Sequence, residues 1–192
     1  MAEVVLYHHA QGLTKGVEAF AAELRRAGHT IHVPDLYEGH TFDTLEDGVT
    51  YAKQTGFGTL MDRGVAAADG LDDALVYAGF SLGVMPAQQL AQTRSGATGA
   101  LLFHACFPVS EFSEVWPAGL PVQVHGMDAD PYFADEGDID AARDLVGSID
   151  RAEMFLYSGK EHLFADSSLP SYDQAASALL TRRVLDFLED IH

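Results

Sequence analysis

The sequence predicts an α/β protein, a three-layer α/β/α sandwich with one mostly parallel sheet. Six short apolar runs alternate with stretches in which apolar residues recur at helical spacing. Strands that alternate with helices usually pair in parallel, and right-handed crossovers place the helices on both faces of the sheet. The 192 residues contain no internal repeat and no linker, so we expect a single domain over residues 1–192.

The N-terminal third predicts a strand, a helix and a second strand. Residues 4–8 form an apolar run typical of a buried strand. In residues 15–27 the apolar side chains recur at helical spacing, and Gly28 stands where a helix C-cap belongs. Residues 30–33 predict a short strand. Residues 37–58 are polar and contain glycines, so we expect a long loop that accommodates one helical turn.

The alternation continues to the end of the chain. Residues 59–69 have a weak helical pattern, and an apolar strand over 74–80 leads into a helix over 82–93. Pro86 lies near the start of that helix, where its missing N–H costs little. The later predicted elements are strands 99–106, 120–125 and 152–157, a helix over 138–148 and a long final helix from Tyr172.

The composition argues against nucleic-acid and membrane binding. A formal net charge of −18 disfavours contact with phosphate groups and anionic lipid. No apolar run approaches the roughly 20 residues that cross a bilayer, and no signal peptide is visible. We therefore expect a cytoplasmic protein, either a monomer or a homodimer. The single cysteine, Cys106, follows an apolar run and is predicted to be a buried, unreactive thiol.

The sharpest motif is the pentapeptide Gly79-Phe80-Ser81-Leu82-Gly83, which lies between a predicted strand and a predicted helix. A serine on so tight a turn has a strained backbone and a raised hydroxyl, and its glycine neighbours avoid clashes. The N-terminus of the helix that follows stabilises negative charge at this point. The pattern therefore predicts that Ser81 is a nucleophile.

A nucleophilic serine needs an imidazole base that is oriented by an acid. On this kind of sheet the three follow strands in the order serine, acid, histidine. His162 follows the strand 152–157, and Asp130 follows the strand 120–125. We prefer Asp130 as the acid because proline and two aromatic residues after it can fix the loop, but Asp128 remains an alternative.

An oxyanion hole needs two backbone N–H groups beside the nucleophile. One is expected from Leu82, and the other from Ala10 or Gln11 in the loop after the first strand. The side chains predicted to line the substrate pocket are His9, Tyr37, Phe107, Tyr132 and Phe164. The nine histidines do not form a cluster at ligand spacing, and no phosphate-binding glycine loop is present. We therefore expect no metal and no cofactor.

These motifs together resemble the dienelactone hydrolases, the carboxymethylenebutenolidase-like proteins. The resemblance covers nearly the whole chain, and its segments are 4–12, 33–37, the turn at Ser81, the loop at Asp130, 157–164 and 182–188. It implies a compact α/β-hydrolase fold without a lid domain, and hydrolysis of a small ester or lactone substrate.

The chain departs from the family pattern at three positions. The resemblance implies a cysteine nucleophile where this chain has Ser81, and a glutamate that restrains that thiol where it has His9. It also implies a carboxylate-binding arginine where this chain has Asp166. We therefore expect a serine hydrolase that forms an acyl-enzyme and accepts neutral esters better than anionic lactones. The alternative is a catalytically silent ligand-binding protein of the same fold.

Overall fold

A computed structural model describes residues 1–191 as one parallel sheet between two layers of helices. The strands are β1 (Glu3–Tyr7), β2 (Thr30–His32), β3 (Leu75–Phe80), β4 (Gly99–Phe103), β5 (Val122–Met127) and β6 (Ala152–Tyr157). The helices are α1 (Lys15–Arg26), α2 (Leu45–Thr55), α3 (Phe57–Ala66), α4 (Val84–Thr93), α5 (Pro131–Ala134), α6 (Asp138–Ser148) and α7 (Gln174–Asp190). The predicted fold class is confirmed, and residues 1–191 include no lid domain.

The sheet has the strand order β2-β1-β3-β4-β5-β6, and every described pair is parallel. The chain winds outward from β1 to β2, then returns and winds the other way from β3 to β6. In such sheets the loops after the two central strands separate and leave a crevice at the carboxyl edge. The crevice lies between the loops that follow β1 and β3, and it is here that the candidate site forms.

Side chains that alternate along each strand divide the core into two halves. Val4 and Leu6 face a cluster that includes the apolar faces of α1 and α7. Val5 and Tyr7 face a second cluster, which α3, α4 and α6 cover. Because both faces are buried, the central strands are continuous apolar runs, and this explains why they are readable in the sequence.

Polar caps fix where the long helices begin. The Thr14 side chain accepts the Val17 N–H at the start of α1, and Asp173 accepts the Ala176 N–H at the start of α7. Gly28 has a φ of 99° after α1, a conformation that the sequence predicted from its C-cap position.

The prediction of a loop over residues 37–58 is wrong for half of its length, because residues 45–55 form α2. Thr44 caps this helix by accepting the Asp47 N–H. The buried face of α2 consists of only Gly48 and Ala52, so no apolar period marks it in the sequence. Gly56, with a φ of 93°, ends α2 and allows α3 to begin one residue later.

Element boundaries at the carboxyl edge also differ from the prediction. β4 ends at Phe103 instead of Cys106, and a short 3₁₀ turn over residues 81–83 precedes α4. The sequence did not predict α5, which Asp130 caps by accepting the Tyr132 N–H at 3.0 Å. Within residues 1–191, no helix combines the length and apolar character that crossing a bilayer requires.

Candidate active site

Ser81 lies at the sharp turn between β3 and α4. Its φ of 48° is left-handed, which is uncommon for any residue except glycine and is characteristic of strained functional turns. A Cβ at Gly83 would lie 2.6 Å from the Tyr7 carbonyl oxygen, and a Cβ at Gly79 would clash with the Gly83 carbonyl. Both glycines of the pentapeptide are therefore required for the turn to pack against β1.

Ser81, His162 and Asp130 form one continuous line of hydrogen bonds. Ser81 Oγ lies 2.9 Å from His162 Nε2, and His162 Nδ1 lies 2.6 Å from Asp130 Oδ2. Because an ionised carboxylate can only accept, Nδ1 carries the proton and Nε2 is free to accept the serine proton. This arrangement has the geometry that activates a serine hydroxyl as a nucleophile.

The two candidate acids have different surroundings. The Asp130 side chain is fully buried, and its second oxygen caps α5. Asp128 is exposed, and its carboxylate accepts the Gly159 N–H at 3.0 Å. The structure therefore brings Asp130 to His162 and leaves Asp128 in a turn contact.

The candidate oxyanion donors are the backbone N–H groups of residues beside Ser81. Leu82 and Ala10 both line the cavity in front of the serine. The Gln11 N–H instead donates to His9 Nδ1 at 3.2 Å, so it is already used within the loop. The geometry favours Ala10 over Gln11 as the second donor.

A cavity of about 480 Å³ opens in front of Ser81. Part of the lining is apolar and comes from α2, α3 and α4, and another part, the acidic wall, carries the carboxyl groups of Glu136 and Asp138. The lining residues are Ala10, Leu45, Val49, Phe57, Ser81, Leu82, Met85, His104, Ala105, Phe107, Tyr132, Glu136, Asp138 and His162. Tyr132 and Phe107 lie where the sequence predicted them, and the Tyr132 ring centroid is 4.9 Å from that of His162.

Three other predicted pocket residues do not line this cavity, and those predictions are wrong. The Tyr37 side chain is fully buried and its hydroxyl donates to the Gly48 carbonyl. Phe164 is also fully buried, with its ring 5.0 Å from that of Tyr157. His9 turns into the protein and bonds Asp166. All three lie in segments that follow strands, but a place in such a segment does not fix side-chain direction.

The sequence analysis missed His104, which follows β4 and lines the cavity. It has a left-handed φ of 65°, and its ring centroid lies 5.7 Å from that of His162. Within residues 1–191 neither of its buried ring nitrogens has a hydrogen-bond partner. Burial, with a smaller contribution from the charge of His162, holds the pKa of His104 well below its ordinary value, so its imidazole is neutral. The sequence analysis placed His104 inside the predicted strand 99–106, and the available signal was a histidine close to the carboxyl end of that strand.

Asp138, on the acidic wall, was also missed. Its carboxylate accepts the Cys106 N–H at 3.1 Å, and burial raises its pKa to about 6. Burial also raises the pKa of the Cys106 thiol to about 12, which suits the inert thiol that the sequence predicts. Across the described part of the chain, no group of three or more His, Cys, Asp or Glu side chains is placed to hold a metal ion.

The parallel sheet, the strained serine turn and the serine–histidine–aspartate line define an α/β-hydrolase. The sequence matches the Dienelactone hydrolase family over residues 1–192, and the chain belongs to that family. It is therefore a hydrolase of the dienelactone hydrolase type. A search of curated proteins gives no significant match.

Solved structures share this fold at low sequence identity. A dienelactone hydrolase-like promiscuous phosphotriesterase from metagenomic libraries has a TM-score of 0.75 and 19% identity, covering 100% of this chain and 87% of that one. Dienelactone hydrolase from Anabaena variabilis has a TM-score of 0.67 and 14% identity, with coverage of 100% and 87%. Esterase 2 from Thermogutta terrifontis, bound to propionate, has a TM-score of 0.65 and 18% identity, with coverage of 99% and 83%.

Proposed function

We propose that this chain is a serine hydrolase that cleaves a small ester or lactone through Ser81, His162 and Asp130. The observation that carries the proposal is the hydrogen-bond line from Ser81 Oγ through His162 to Asp130, at 2.9 and 2.6 Å. The left-handed backbone at Ser81 supports it, because such strain persists mainly where function requires it.

The proposed reaction has two acyl-transfer steps. Ser81 Oγ attacks the substrate carbonyl carbon while its proton passes to His162 Nε2, and Asp130 stabilises the imidazolium. The N–H groups of Leu82 and Ala10 bind the oxyanion. His162 then protonates the leaving alcohol oxygen, the carbon–oxygen bond breaks, and an acyl-serine remains. Water adds to this ester by the same route and releases the acid and free Ser81.

The polarity of the cavity favours a neutral substrate. Among the described residues, neither lysine nor arginine lines it, and Glu136 and Asp138 form its acidic wall. Asp166, where the family resemblance implies a carboxylate-binding arginine, is buried away from the cavity. An anionic acyl group would meet like charge and no cation. The apolar wall of Leu45 and Val49 suits a short aliphatic acyl chain.

The test compares the wild type with Ser81→Ala, His162→Ala and a matched control, Ser148→Ala. Ser148 is exposed on α6, away from the cavity. Hydrolysis of p-nitrophenyl butyrate is expected to fall at least about 10⁴-fold in the first two variants and to stay unchanged in the control. A fluorophosphonate probe is expected to label the wild type and the control but not Ser81→Ala.

A pair of natural-type esters of similar length tests the substrate preference. In a pH-stat, kcat/KM for ethyl butyrate is expected to exceed that for monoethyl succinate by at least about tenfold. Equal values would contradict a neutral-substrate site. If the wild type hydrolyses no ester and no probe labels Ser81, the enzyme proposal is overturned, and a catalytically silent ligand-binding protein of the same fold replaces it.

A further inference from the structure

We call residues 8–12 the oxyanion loop. His9 of this loop forms a buried pair with Asp166. His9 Nε2 lies 2.7 Å from Asp166 Oδ2, and the exposed fractions of the two side chains are 0% and 2%. These are two of the three positions at which the chain departs from the family pattern. The two departures are therefore in direct contact, across 157 residues of sequence.

The hydrogen bonds of the pair have only one consistent direction. The Gln11 N–H donates to His9 Nδ1 at 3.2 Å, so Nδ1 must be unprotonated. His9 Nε2–H therefore donates to the Asp166 carboxylate. Burial lowers the pKa of His9, and this effect outweighs the hydrogen bond to Asp166, which raises it. Burial acts to raise the pKa of Asp166, but hydrogen bonds from His9, Ser168 and Thr14 lower it overall. The result is a neutral imidazole on an ionised carboxylate.

The Asp166 carboxylate connects the oxyanion loop to the loop that carries His162. Asp166 follows His162 by four residues, and its N–H donates to the Leu163 carbonyl at 3.0 Å. Ser168 Oγ donates to Asp166 Oδ1 at 2.6 Å, and Thr14, the cap of α1, donates to Oδ2. One carboxylate thus holds the His162 loop, the start of α1 and, through His9, the oxyanion loop.

Ala10 lies between the two residues that this pair fixes. On one side His9 is bonded to Asp166, and on the other the Gln11 N–H is bonded to His9. Behind Ala10, a Cβ at Gly48 would overlap the Ala10 carbonyl, so α2 packs closely against the loop. The Ala10 N–H belongs to the His9–Ala10 peptide, whose carbonyl lies 2.8 Å from His8 Nδ1 and accepts the Gly12 N–H at 3.0 Å. The pair fixes the side chain of His9 on this peptide, and these two bonds fix its carbonyl, so together they orient the Ala10 N–H.

We propose that His9 and Asp166 are a positioning pair that aims the Ala10 N–H at the substrate oxyanion and keeps the oxyanion loop in register with the His162 loop. This inference rests on the proposed function of Ser81. Neither side chain reaches the cavity, so the pair acts through the backbone. A displacement of about 1 Å in such a donor is enough to reduce catalysis about 100-fold.

Three substitutions separate the two hydrogen bonds of His9. Asparagine places its amide near the position of Nδ1, so His9→Asn retains an acceptor for the Gln11 N–H and loses Asp166. Glutamine places its amide near Nε2, so His9→Gln retains the bond to Asp166 and loses the acceptor for Gln11. Asp166→Asn keeps the shape and removes the charge. His32→Gln is the control, because His32 forms a histidine–carboxylate pair of the same length with Glu3, at 2.7 Å, that is partly exposed and does not line the cavity.

The expected result is a loss in kcat at nearly constant KM. Per active site titrated by a fluorophosphonate, all three variants are expected to lose about 10- to 100-fold in kcat with p-nitrophenyl butyrate, because one oxyanion donor is misdirected. Affinity for an alkyl trifluoromethyl ketone, which forms a tetrahedral adduct on Ser81, is expected to fall by the same factor. His32→Gln is expected to match the wild type in both.

Amide hydrogen exchange at Gln11 tests the pair independently of turnover. Its protection is expected to fall at least about tenfold in His9→Gln and to be retained in His32→Gln. The proposal is overturned if kcat per active site stays within twofold of wild type in all three variants, if only KM changes, or if Gln11 protection is unaltered in His9→Gln. If the wild type is inactive and Gln11 still loses protection in His9→Gln, the proposed function is contradicted, whereas the role of the pair in holding the oxyanion loop is not.

Discussion

Replacing Asp130 by asparagine tests whether Asp130 or Asp128 is the acid that orients His162. The two hydrogen bonds of Asp130 predict the outcome. The two Asp130 oxygens accept from two donors, His162 Nδ1–H at 2.6 Å and the Tyr132 N–H at 3.0 Å. An amide has one accepting atom and one donating atom, so Asp130→Asn can satisfy only one of them. If its oxygen keeps capping α5, its NH₂ faces His162 and forces the proton to Nε2. In that tautomer His162 cannot accept the proton of Ser81.

The magnitude of this effect follows from the role of the acid. A wrong histidine tautomer costs about 10³- to 10⁴-fold in kcat, which is about 4–5.5 kcal/mol of barrier. The loss of one buried, charge-assisted hydrogen bond also lowers the free energy of unfolding, by about 1–3 kcal/mol. The matched variant, Asp128→Asn, changes an exposed side chain and keeps an acceptor for the Gly159 N–H. Its kcat is expected to stay within about twofold, since surface changes of this kind are worth about 0.5 kcal/mol.

The assay is steady-state hydrolysis of p-nitrophenyl butyrate by both variants, with urea unfolding to confirm that each is folded. A folded Asp130→Asn that keeps more than a tenth of wild-type kcat would show that Asp130 does not orient His162. Equal losses in the two variants would show that both loops support the site and that the structure does not identify a single acid.

Two further predictions concern packing and pH. Gly64→Ala in α3 is expected to destabilise the fold by about 1–3 kcal/mol, because its Cβ would lie 2.5 Å from Pro86 Cβ. Gly58→Ala in the same helix meets open space and is expected to stabilise the fold by about 0.5–1 kcal/mol. Equal urea midpoints for the two variants would contradict this prediction. Burial raises the pKa of Asp138 from 3.8 to about 6, so the folded state holds that proton more tightly and loses stability as pH rises through this window. Asp138→Asn removes this pH-dependent loss of stability. Its Tm is therefore expected to exceed that of the wild type by a few degrees at about pH 7.5 and to match it at about pH 4. An equal difference in Tm at both pH values would show that the pKa of Asp138 is not raised.

The parts of the fold that the sequence predicted are those in which one physical rule acts alone. The four inner strands are buried and therefore largely apolar, and the partly exposed edge strands β2 and β6 still formed short runs that could be read. The serine turn was readable because two glycines are sterically required there, as the clashes at Gly79 and Gly83 demonstrate. Asp130 and His162 were found because functional residues of such sheets follow the carboxyl ends of strands.

The parts that the sequence did not predict depend on contacts between distant segments. α2 buries only Gly48 and Ala52, so its stability comes from packing against the oxyanion loop and leaves no apolar period. Tyr37 and Phe164 lie in segments that follow strands, as pocket residues often do, but their side chains are buried in the core and do not line the cavity. The partner of His9 is 157 residues away, and no local pattern can identify it.

The three departures from the family pattern are consistent with one another once their contacts are known. A serine hydroxyl is neutral at rest, so a carboxylate that restrains a thiolate has no task at position 9, and a neutral imidazole there can accept the Gln11 N–H. The imidazole then needs a buried acceptor for its other nitrogen, and Asp166 supplies it in place of the arginine. Glu136 and Asp138 line the cavity, and among the described residues neither lysine nor arginine does. The contact therefore explains why a histidine at position 9 and an aspartate at position 166 occur together, and replacing Asp166 alone would leave His9 Nε2 without its partner.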